Sequence, residues 1–168
     1  RQPASPPAKA LLIVEESEQA AIQVKDFMVE NGYEVTVAKN GKMAIETVSD
    51  KLPDAIVMDL VLTDIDGFGV LKFLRDKEET CNIPVLVLTA KQLTLEELDL
   101  IRKYDVHQLI HKGDVHKSDL QKAIVSMIKH GEMTGNKTAF GYSPCNPETL
   151  QTHKEPPQGI PGICRRNN

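Results

Sequence analysis

Three short apolar runs constrain the fold of this chain more than any other feature, because none of them has the period of a helix. They are residues 11–14 (LLIV), 55–58 (AIVM) and 85–88 (VLVL). Short unbroken apolar runs bounded by turn residues are typical of strands that are buried on both faces of a parallel sheet. Asp59 directly follows the second run. The sequence therefore predicts a carboxylate at the carboxyl end of a central strand, the edge where ligands bind in open α/β sheets.

Two further strand candidates and five helical segments complete an alternating pattern. Residues 33–38 alternate apolar and polar side chains, and residues 106–110 form the last strand candidate. The segments between strands carry apolar residues three or four positions apart, as on one face of a helix. The predicted helix starts are marked by Ser17, by Asn40-Gly41, by Asp66-Gly67, and by two capping boxes, Thr94 with Glu97 and Ser118 with Gln121. Helical connections join parallel strands, so we predict a doubly wound α/β domain over residues 9–130.

Composition excludes several classes of function. The chain has 168 residues, of which 40% are hydrophobic and 26% charged, as in a soluble globular protein. Its net charge of −4 and the lack of a basic run argue against a nucleic-acid partner. No apolar stretch approaches the roughly 20 residues that a membrane span requires. Cys81, Cys145 and Cys164 are few and scattered, which favours a reducing, cytoplasmic compartment over a disulfide framework.

The two ends of the chain differ in character from its middle. Residues 1–8 are rich in Pro and Ala and are predicted to be a linker. Residues 131–168 are rich in Gly, Pro, Asn and Thr and have neither the helical nor the strand period. We expect this segment to be a flexible or weakly docked tail.

Five polar side chains follow the predicted strands at the same edge of the sheet. They are Glu15, Glu16, Asp59, Thr89 and Lys112. Carboxylates ~4 Å apart repel each other by roughly 4 kcal/mol per pair at an effective dielectric constant of about 20, so three acids need a cation. Oxygen ligands favour a hard ion such as Mg²⁺. An acid beside Mg²⁺, a lysine and a hydroxyl is suited to accept a phosphoryl group by in-line attack.

These segments resemble the response-regulator receiver domain, the phosphoacceptor module of two-component signalling. The resemblance covers residues 9–130 and rests on ordered motifs. LLIVEES has the apolar strand and acidic pair of a receiver, and AIVMDLVLTDIDGF has the phosphoacceptor Asp followed by an Asp-Gly turn. PVLVLTA has the switch hydroxyl followed by a small residue, and LIHKG has the lysine after the last strand. The resemblance implies a flavodoxin-like sheet with strand order 2-1-3-4-5.

The resemblance also implies a site. Asp59 is then the phosphoacceptor for a phosphohistidine donor, and Thr89 and Lys112 contact the phosphoryl group. The Mg²⁺ ligands implied are Glu15, Glu16, Asp59 and the backbone carbonyl of Val61. A receiver is a stoichiometric phosphoacceptor with at most slow autodephosphorylation, rather than a turnover enzyme.

The implied partners are proteins. A histidine kinase or a histidine phosphotransfer domain supplies the phosphoryl group, and a downstream partner binds the face formed by the fourth helix, last strand and fifth helix. Homodimerisation is left open. With no output domain after it and a Pro-rich lead-in, the chain resembles a receiver appended to a longer signalling protein such as a hybrid sensor kinase, or a single-domain regulator.

Four positions depart from the usual receiver pattern. Glu16 stands in place of the more usual Asp, and Thr63 in place of a common Pro. Gly113 replaces the Pro that often follows the lysine, and Leu109 replaces the aromatic switch residue. These departures motivate an alternative function, a degenerate receiver that acts as a protein-binding module without phosphorylation.

Two other patterns are weaker. The stretch from Asp64 to Gly67 mimics the DxD motif of phosphatases of the haloacid dehalogenase type, with Asp64 as nucleophile and Asp66 as acid/base. No adjacent acidic pair for their Mg²⁺ follows Lys112, so we favour turn-shaping roles for both acids. Spacings of four and five residues among His107, His111 and His116, in a segment predicted as strand and loop, do not favour a metal site.

Overall fold

The apolar runs form the middle of a five-stranded parallel sheet in the computed structural model of the chain, which describes residues 9–134, with side chains up to 130. The strands are β1 Ala10–Val14, β2 Glu34–Ala38, β3 Ala55–Met58, β4 Val85–Thr89 and β5 Gln108–His111. Their order across the sheet is β2-β1-β3-β4-β5, and every neighbouring pair is parallel. The predicted doubly wound, flavodoxin-like architecture with five helices is confirmed.

Helices connect the strands in the predicted alternation. They are α1 Glu18–Glu30, α2 Gly41–Asp50, α3 Gly67–Arg75, α4 Leu95–Lys103 and α5 Lys117–Thr134, with a short 3-10 turn at Lys112–Asp114. The N-caps of the first four helices are the predicted residues, including the capping box of Thr94 and Glu97. The capping box predicted at Ser118 is wrong, because α5 begins at Lys117 and Ser118 lies inside it.

The domain limits proposed from sequence are only partly covered by the described residues. The predicted linker, residues 1–8, lies outside them, as does the predicted tail from residue 135 onward. Residues 131–134 continue α5.

Strand β5 begins at Gln108, two residues later than predicted. The chain turns at Asp105, whose φ is 54°, and the N–H of Val106 donates to the carbonyl of Ile101 at the end of α4. Val106 is apolar because it packs against the core beside that helix end. Its apolar side chain therefore reflects packing at the end of α4, and Val106 is not part of β5.

Two clusters of apolar side chains cover the two faces of the sheet. Successive strand residues point to opposite faces, so Leu12 and Ile56 belong to one cluster and Leu11 and Val57 to the other. Helices α2 and α3 contribute to the first cluster, and α1 and α5 to the second. Burial on both faces is the reason that β1, β3 and β4 have unbroken apolar sequences.

A buried arginine connects the end of α3 to two other segments. Arg75 is only 3% exposed, and its Nη1 donates to the carbonyls of Cys81 and Ile83 at 3.0 and 2.9 Å. Its Nε donates to the carbonyl of Tyr104 at 2.7 Å, at the end of α4. One side chain thus satisfies backbone acceptors in the connections before β4 and before β5.

Two observations bear on the predicted compartment. None of the helices in the described part of the chain is long and apolar enough to cross a membrane. Cys81, one of the three cysteines on which that prediction rests, is buried. A cytoplasmic location stays a prediction.

Candidate functional site

The register between β1 and β3 brings two of the predicted acids together. Val14 pairs with Met58, so the next residues, Glu15 and Asp59, leave adjacent strands at the same edge. The N–H of Asp59 still donates to the carbonyl of Val14 at 3.0 Å, which holds the first residue beyond β3 against β1. Both acids are only 8% exposed. Two carboxylates are therefore fixed side by side with little solvent to screen them.

Lys112 lies between these two acids. Its Nζ atom donates to Oε1 of Glu15 at 2.7 Å and to Oδ2 of Asp59 at 2.8 Å. Partial burial of Lys112 acts to lower its pKa, but the hydrogen bonds to Asp59 and Glu15 outweigh burial, and the pKa is raised. The lysine is therefore an ammonium group at neutral pH, and the three side chains together carry one excess negative charge.

Backbone N–H groups bind the other two carboxylate oxygens. Oδ1 of Asp59 accepts from the N–H of Val61 at 3.1 Å, and Oε2 of Glu15 accepts from the N–H of Ser17 at 2.9 Å. All four oxygens of the pair thus have donors. Such charge-assisted bonds fix the orientation of a carboxylate, as a group that attacks in one direction requires.

Thr89 reaches the same edge from the next strand. It is the last residue of β4, is 1% exposed, and pairs with His111 of β5. Its Oγ1 accepts from the N–H of Lys91 at 3.2 Å. Among the described residues no hydrogen bond joins Thr89 to Asp59. The hydroxyl of Thr89 is instead bound to the loop between β4 and α4.

Glu16 does not join the other acids. Its side chain is exposed, and Oε2 accepts from the backbone N–H of Thr63 at 2.5 Å, in the loop between β3 and α3. Within residues 9–130, where side chains are described, no three His, Cys, Asp or Glu side chains are grouped to hold a metal ion. The structure brings together Glu15, Asp59 and Lys112, and it places the carboxylate of Glu16 on the neighbouring loop.

The loop between β3 and α3 is also bound from the side of α2. Oδ1 of Asp64 accepts from the N–H of Gly41 at 3.0 Å, at the start of α2. Hydrogen bonds from backbone N–H groups, that of Ile65 foremost, lower the pKa of Asp64. A Cβ on Gly41 would lie 2.0 Å from the carbonyl oxygen of Ile65, so only glycine permits this close approach.

The acids of the DxD-like stretch have structural roles in this loop. Asp66 caps α3 through the N–H of Gly69 at 2.9 Å, and Asp64 binds the start of α2. Both are thus turn-shaping residues, as we favoured from the sequence.

The contacts of His111, which precedes Lys112, were not predicted from the sequence. Its Nδ1 accepts from the N–H of Gly113 at 3.2 Å, so Nε2 carries the proton and donates to the carbonyl of Ala90 at 3.1 Å. The imidazole therefore links the loop after Thr89 to the turn that carries Lys112. The position of this histidine, directly before the predicted site residue Lys112 at a strand end, was the available signal. Leu109, in place of the aromatic switch residue, packs against the first core cluster.

Comparison with known proteins identifies the family of this fold and strand edge. The model of the response regulator receiver domain matches residues 11–125. The chain belongs to the receiver domain family. It is similar to the polar-differentiation response regulator DivK of Brucella anthropi, with 35% identity over 82 residues, which cover 49% of this chain and 67% of DivK. DivK of Brucella ovis matches over the same shares of both chains, also with 35% identity.

Solved receiver structures share the fold. A putative response regulator from Chloroflexus aurantiacus is 26% identical with a TM-score of 0.65, over 73% of the present chain and 98% of the other. A CheY-like receiver domain protein from Methanospirillum hungatei superposes with a TM-score of 0.69 at 20% identity, over 76% of the present chain and 98% of the other. The receiver domain of a histidine kinase from Syntrophus aciditrophicus gives a TM-score of 0.66 at 24% identity, over 73% and 92%.

Receiver domains generally bind Mg²⁺, and the residues here fit that ion in chemistry but only partly in position. Carboxylate and carbonyl oxygens are the hard ligands that Mg²⁺ requires. Glu15 and Asp59 fit in position, since each has an oxygen within 2.8 Å of the same Nζ atom of Lys112. Glu16 does not, because its carboxylate is bound to the N–H of Thr63.

Proposed function

We propose that this receiver accepts a phosphoryl group from a phosphohistidine donor onto Asp59. The observation that carries the proposal is the hydrogen bonding of Lys112 to both Asp59 and Glu15 at the edge of the sheet. A carboxylate oxygen of Asp59 forms a bond to phosphorus while the bond from phosphorus to the donor imidazole nitrogen breaks. The imidazole leaves and takes up a proton, and an acyl phosphate remains on Asp59.

The protein contributes orientation and charge. Lys112 stays cationic because its pKa is raised, so an ammonium group stands where negative charge gathers on the transferred oxygens. The Val61 N–H and the Lys112 ammonium hold opposite oxygens of Asp59, which limits rotation of the carboxylate. Catalysis of phosphoryl transfer depends mainly on such positioning and on preorganised charge.

A divalent cation completes the charge balance of the proposed site. Glu15 and Asp59 would hold Mg²⁺ together with the backbone carbonyl of Val61, and Glu16 would join them after leaving Thr63. When bound, Mg²⁺ supplies positive charge to the transferred phosphoryl oxygens. Lys112 would then be free to bind the phosphoryl group, since its present acceptors are the same two acids.

Thr89 is proposed to report the modification. A phosphoryl oxygen on Asp59 would offer its hydroxyl a stronger, charged acceptor, which would move the backbone of the loop after β4. In many receivers an aromatic side chain changes position together with this hydroxyl, and here Leu109 stands at its position. We propose that phosphorylation is instead reported to a partner by the face of α4, β5 and α5.

The proposed partners follow from the chemistry of the transfer. A histidine kinase or a histidine phosphotransfer domain would donate the phosphoryl group, and a downstream protein would bind the α4, β5 and α5 face. We infer that the domain is a stoichiometric phosphoacceptor in the cytoplasm, where such donors act.

Mass spectrometry tests the proposal directly. Incubation with acetyl phosphate and Mg²⁺ should add about 80 Da as an acid-stable, base-labile acyl phosphate, the product expected of a carboxylate nucleophile. The gain should disappear in Asp59→Asn and persist in the matched control Asp64→Asn. Turnover or labelling that depends on Asp64 and not on Asp59 would contradict the proposal.

A second candidate is the degenerate receiver, a binding module that works without phosphorylation. It is favoured by one observation, the binding of Glu16 to Thr63 and not to the other acids. If no mass gain appears at any Mg²⁺ concentration, and a partner binds wild type and Asp59→Asn equally, the binding-module function replaces the phosphoacceptor.

A further inference from the structure

Two loops at the sheet edge are joined by a hydrogen bond between Glu16 and Thr63. Oε2 of Glu16 accepts from the backbone N–H of Thr63. Glu16 belongs to the turn between β1 and α1, and Thr63 lies 47 residues away, between β3 and α3. This bond connects the segment that supplies the acidic pair to the segment that supplies Asp59 and Val61.

The bond depends on two features of this sequence. The acceptor is a glutamate, whose side chain has one methylene more than an aspartate and reaches the neighbouring loop. The donor is the backbone N–H of residue 63, which any residue except proline can provide. Because both features are the departures at positions 16 and 63, one contact accounts for both of them.

The surroundings of Thr63 make it a fixed anchor. Leu62, directly before it, is buried in the first core cluster, and Asp64, directly after it, accepts from the N–H of Gly41. Thr63 itself is exposed, and so is Glu16. The N–H donor is therefore held in place by its neighbours, while the glutamate can reach it or leave it through the solvent.

The charge of the site explains why the glutamate turns outward. Lys112 already faces two buried carboxylates, Glu15 and Asp59, and is the only cationic group bound to them within the described residues. A third carboxylate beside this pair would add repulsion that one ammonium group cannot offset. On the N–H of Thr63, Glu16 has a donor and lies apart from the other acids.

We propose that Glu16 is a positioning residue that latches the β1–α1 turn to the loop carrying Asp59, and that a divalent cation must compete with the Thr63 N–H for its carboxylate. The proposal rests on the proposed function, because it concerns the cation of the same site. Its consequence is that this receiver should bind Mg²⁺ more weakly than its four oxygen donors would otherwise allow.

Removal of the N–H donor tests the latch. Thr63→Pro lacks the N–H, and Thr63→Ala, the matched control, retains it. In titrations of the full chain with MgCl₂ by calorimetry, we expect Thr63→Pro to lower the Kd about tenfold. That change equals about 1.4 kcal/mol, near the low end for a hydrogen bond to a charged group. Thr63→Ala should stay within about twofold of wild type, since the backbone donor is unchanged.

A double-mutant cycle makes the test specific for Glu16. Glu16→Asp shortens the acceptor by one methylene and should release the latch by itself. In that background, Thr63→Pro should change the Kd by less than about twofold, because the two substitutions break the same contact. Equal effects of Thr63→Pro in both backgrounds would overturn the proposal, as would equal Mg²⁺ affinities for Thr63→Pro and Thr63→Ala.

A second measurement does not need the proline variant to fold. Hydrogen exchange of the Thr63 amide in wild type, followed by NMR, should become faster when MgCl₂ is added, because the acceptor is withdrawn. An unchanged exchange rate at saturating Mg²⁺, or no Mg²⁺ binding by any variant, would refute the competition. Failure of the proposed transfer would instead appear as a missing mass gain at Asp59 with the latch results intact.

Discussion

The Nζ atom of Lys112 lies 2.8 Å from Oδ2 of Asp59, and it is 2.7 Å from Oε1 of Glu15. This relationship joins the ends of β1 and β3 to the turn after β5. Since both acids are buried, the ammonium group is a structural counter-ion as well as a proposed catalytic group. Its removal should therefore affect folding and chemistry together.

Replacement of Lys112 should destabilise the fold. In Lys112→Met, Glu15 and Asp59 are left as adjacent buried carboxylates without a cation, and we expect a loss of about 1–3 kcal/mol in the free energy of unfolding. The estimate is below that for a fully buried pair because the lysine side chain is 26% exposed. Urea denaturation at pH 7 measures the change. Lys25→Met, on the exposed side of α1, is the control and should change stability by less than about 0.5 kcal/mol.

The pH dependence of stability should differ between wild type and Lys112→Met. The pKa of Lys112 is raised in the folded state, so its contribution is complete below the unfolded pKa of about 10.4 and is lost as the pH rises through the folded pKa. Wild type should therefore lose stability relative to Lys112→Met at alkaline pH. The stabilities of the two proteins, measured by denaturation from about pH 10 upward, where lysine begins to titrate, should converge. A constant difference across this range would contradict the assigned interaction.

Arg75 should be required for stability, and lysine should not replace it. Arg75→Lys keeps a positive charge, but a single ammonium group lacks the forked donors with which the guanidinium group binds the carbonyls of Tyr104, Cys81 and Ile83. We expect Arg75→Lys and Arg75→Met each to cost about 2–4 kcal/mol, since buried acceptors lose their donors. Thermal and urea unfolding measure both variants. If Arg75→Lys is as stable as wild type, the carbonyl contacts contribute little.

A methyl group at Gly41 should separate α2 from the loop of Asp59. The added Cβ would lie 2.0 Å from the backbone oxygen of Ile65, so the backbone must move, at a cost of about 1–3 kcal/mol. The hydrogen bond from Gly41 to Asp64 should be lost as well. Gly113→Ala is the matched control, because its nearest neighbour would be 3.4 Å away on the His111 ring. Equal stability of the two variants would contradict this account.

The limits of the strands that are buried on both faces were predicted to within one residue. β3 has the predicted limits, and β1 and β4 each extend one residue further. The edge strand β5 begins two residues later than predicted, because Val106 packs at the end of α4, a tertiary contact that the sequence does not reveal.

Of the five predicted side chains at the sheet edge, hydrogen bonds join three, Glu15, Asp59 and Lys112. The strand order alone brings Glu15 beside Asp59, and Lys112 meets them as expected from the sequence. The orientation of the Glu16 side chain depends on a backbone N–H group in a loop that is distant in sequence, and the pattern of side chains does not reveal this contact. The roles of Asp59, Thr89, Lys112 and the proposed metal ligands remain predictions for the experiments above.

The bond between Lys112 and Glu15 spans 97 positions of the chain, and it forms at the margin of the sheet that is synthesised last. As the polypeptide leaves the ribosome, both buried acids are made long before their counter-ion. Fragments that stop short of residue 112 would thus contain Asp59 but not its ammonium partner. If the proposed function holds, phosphorylation of Asp59 should consequently require that β5 has closed the sheet.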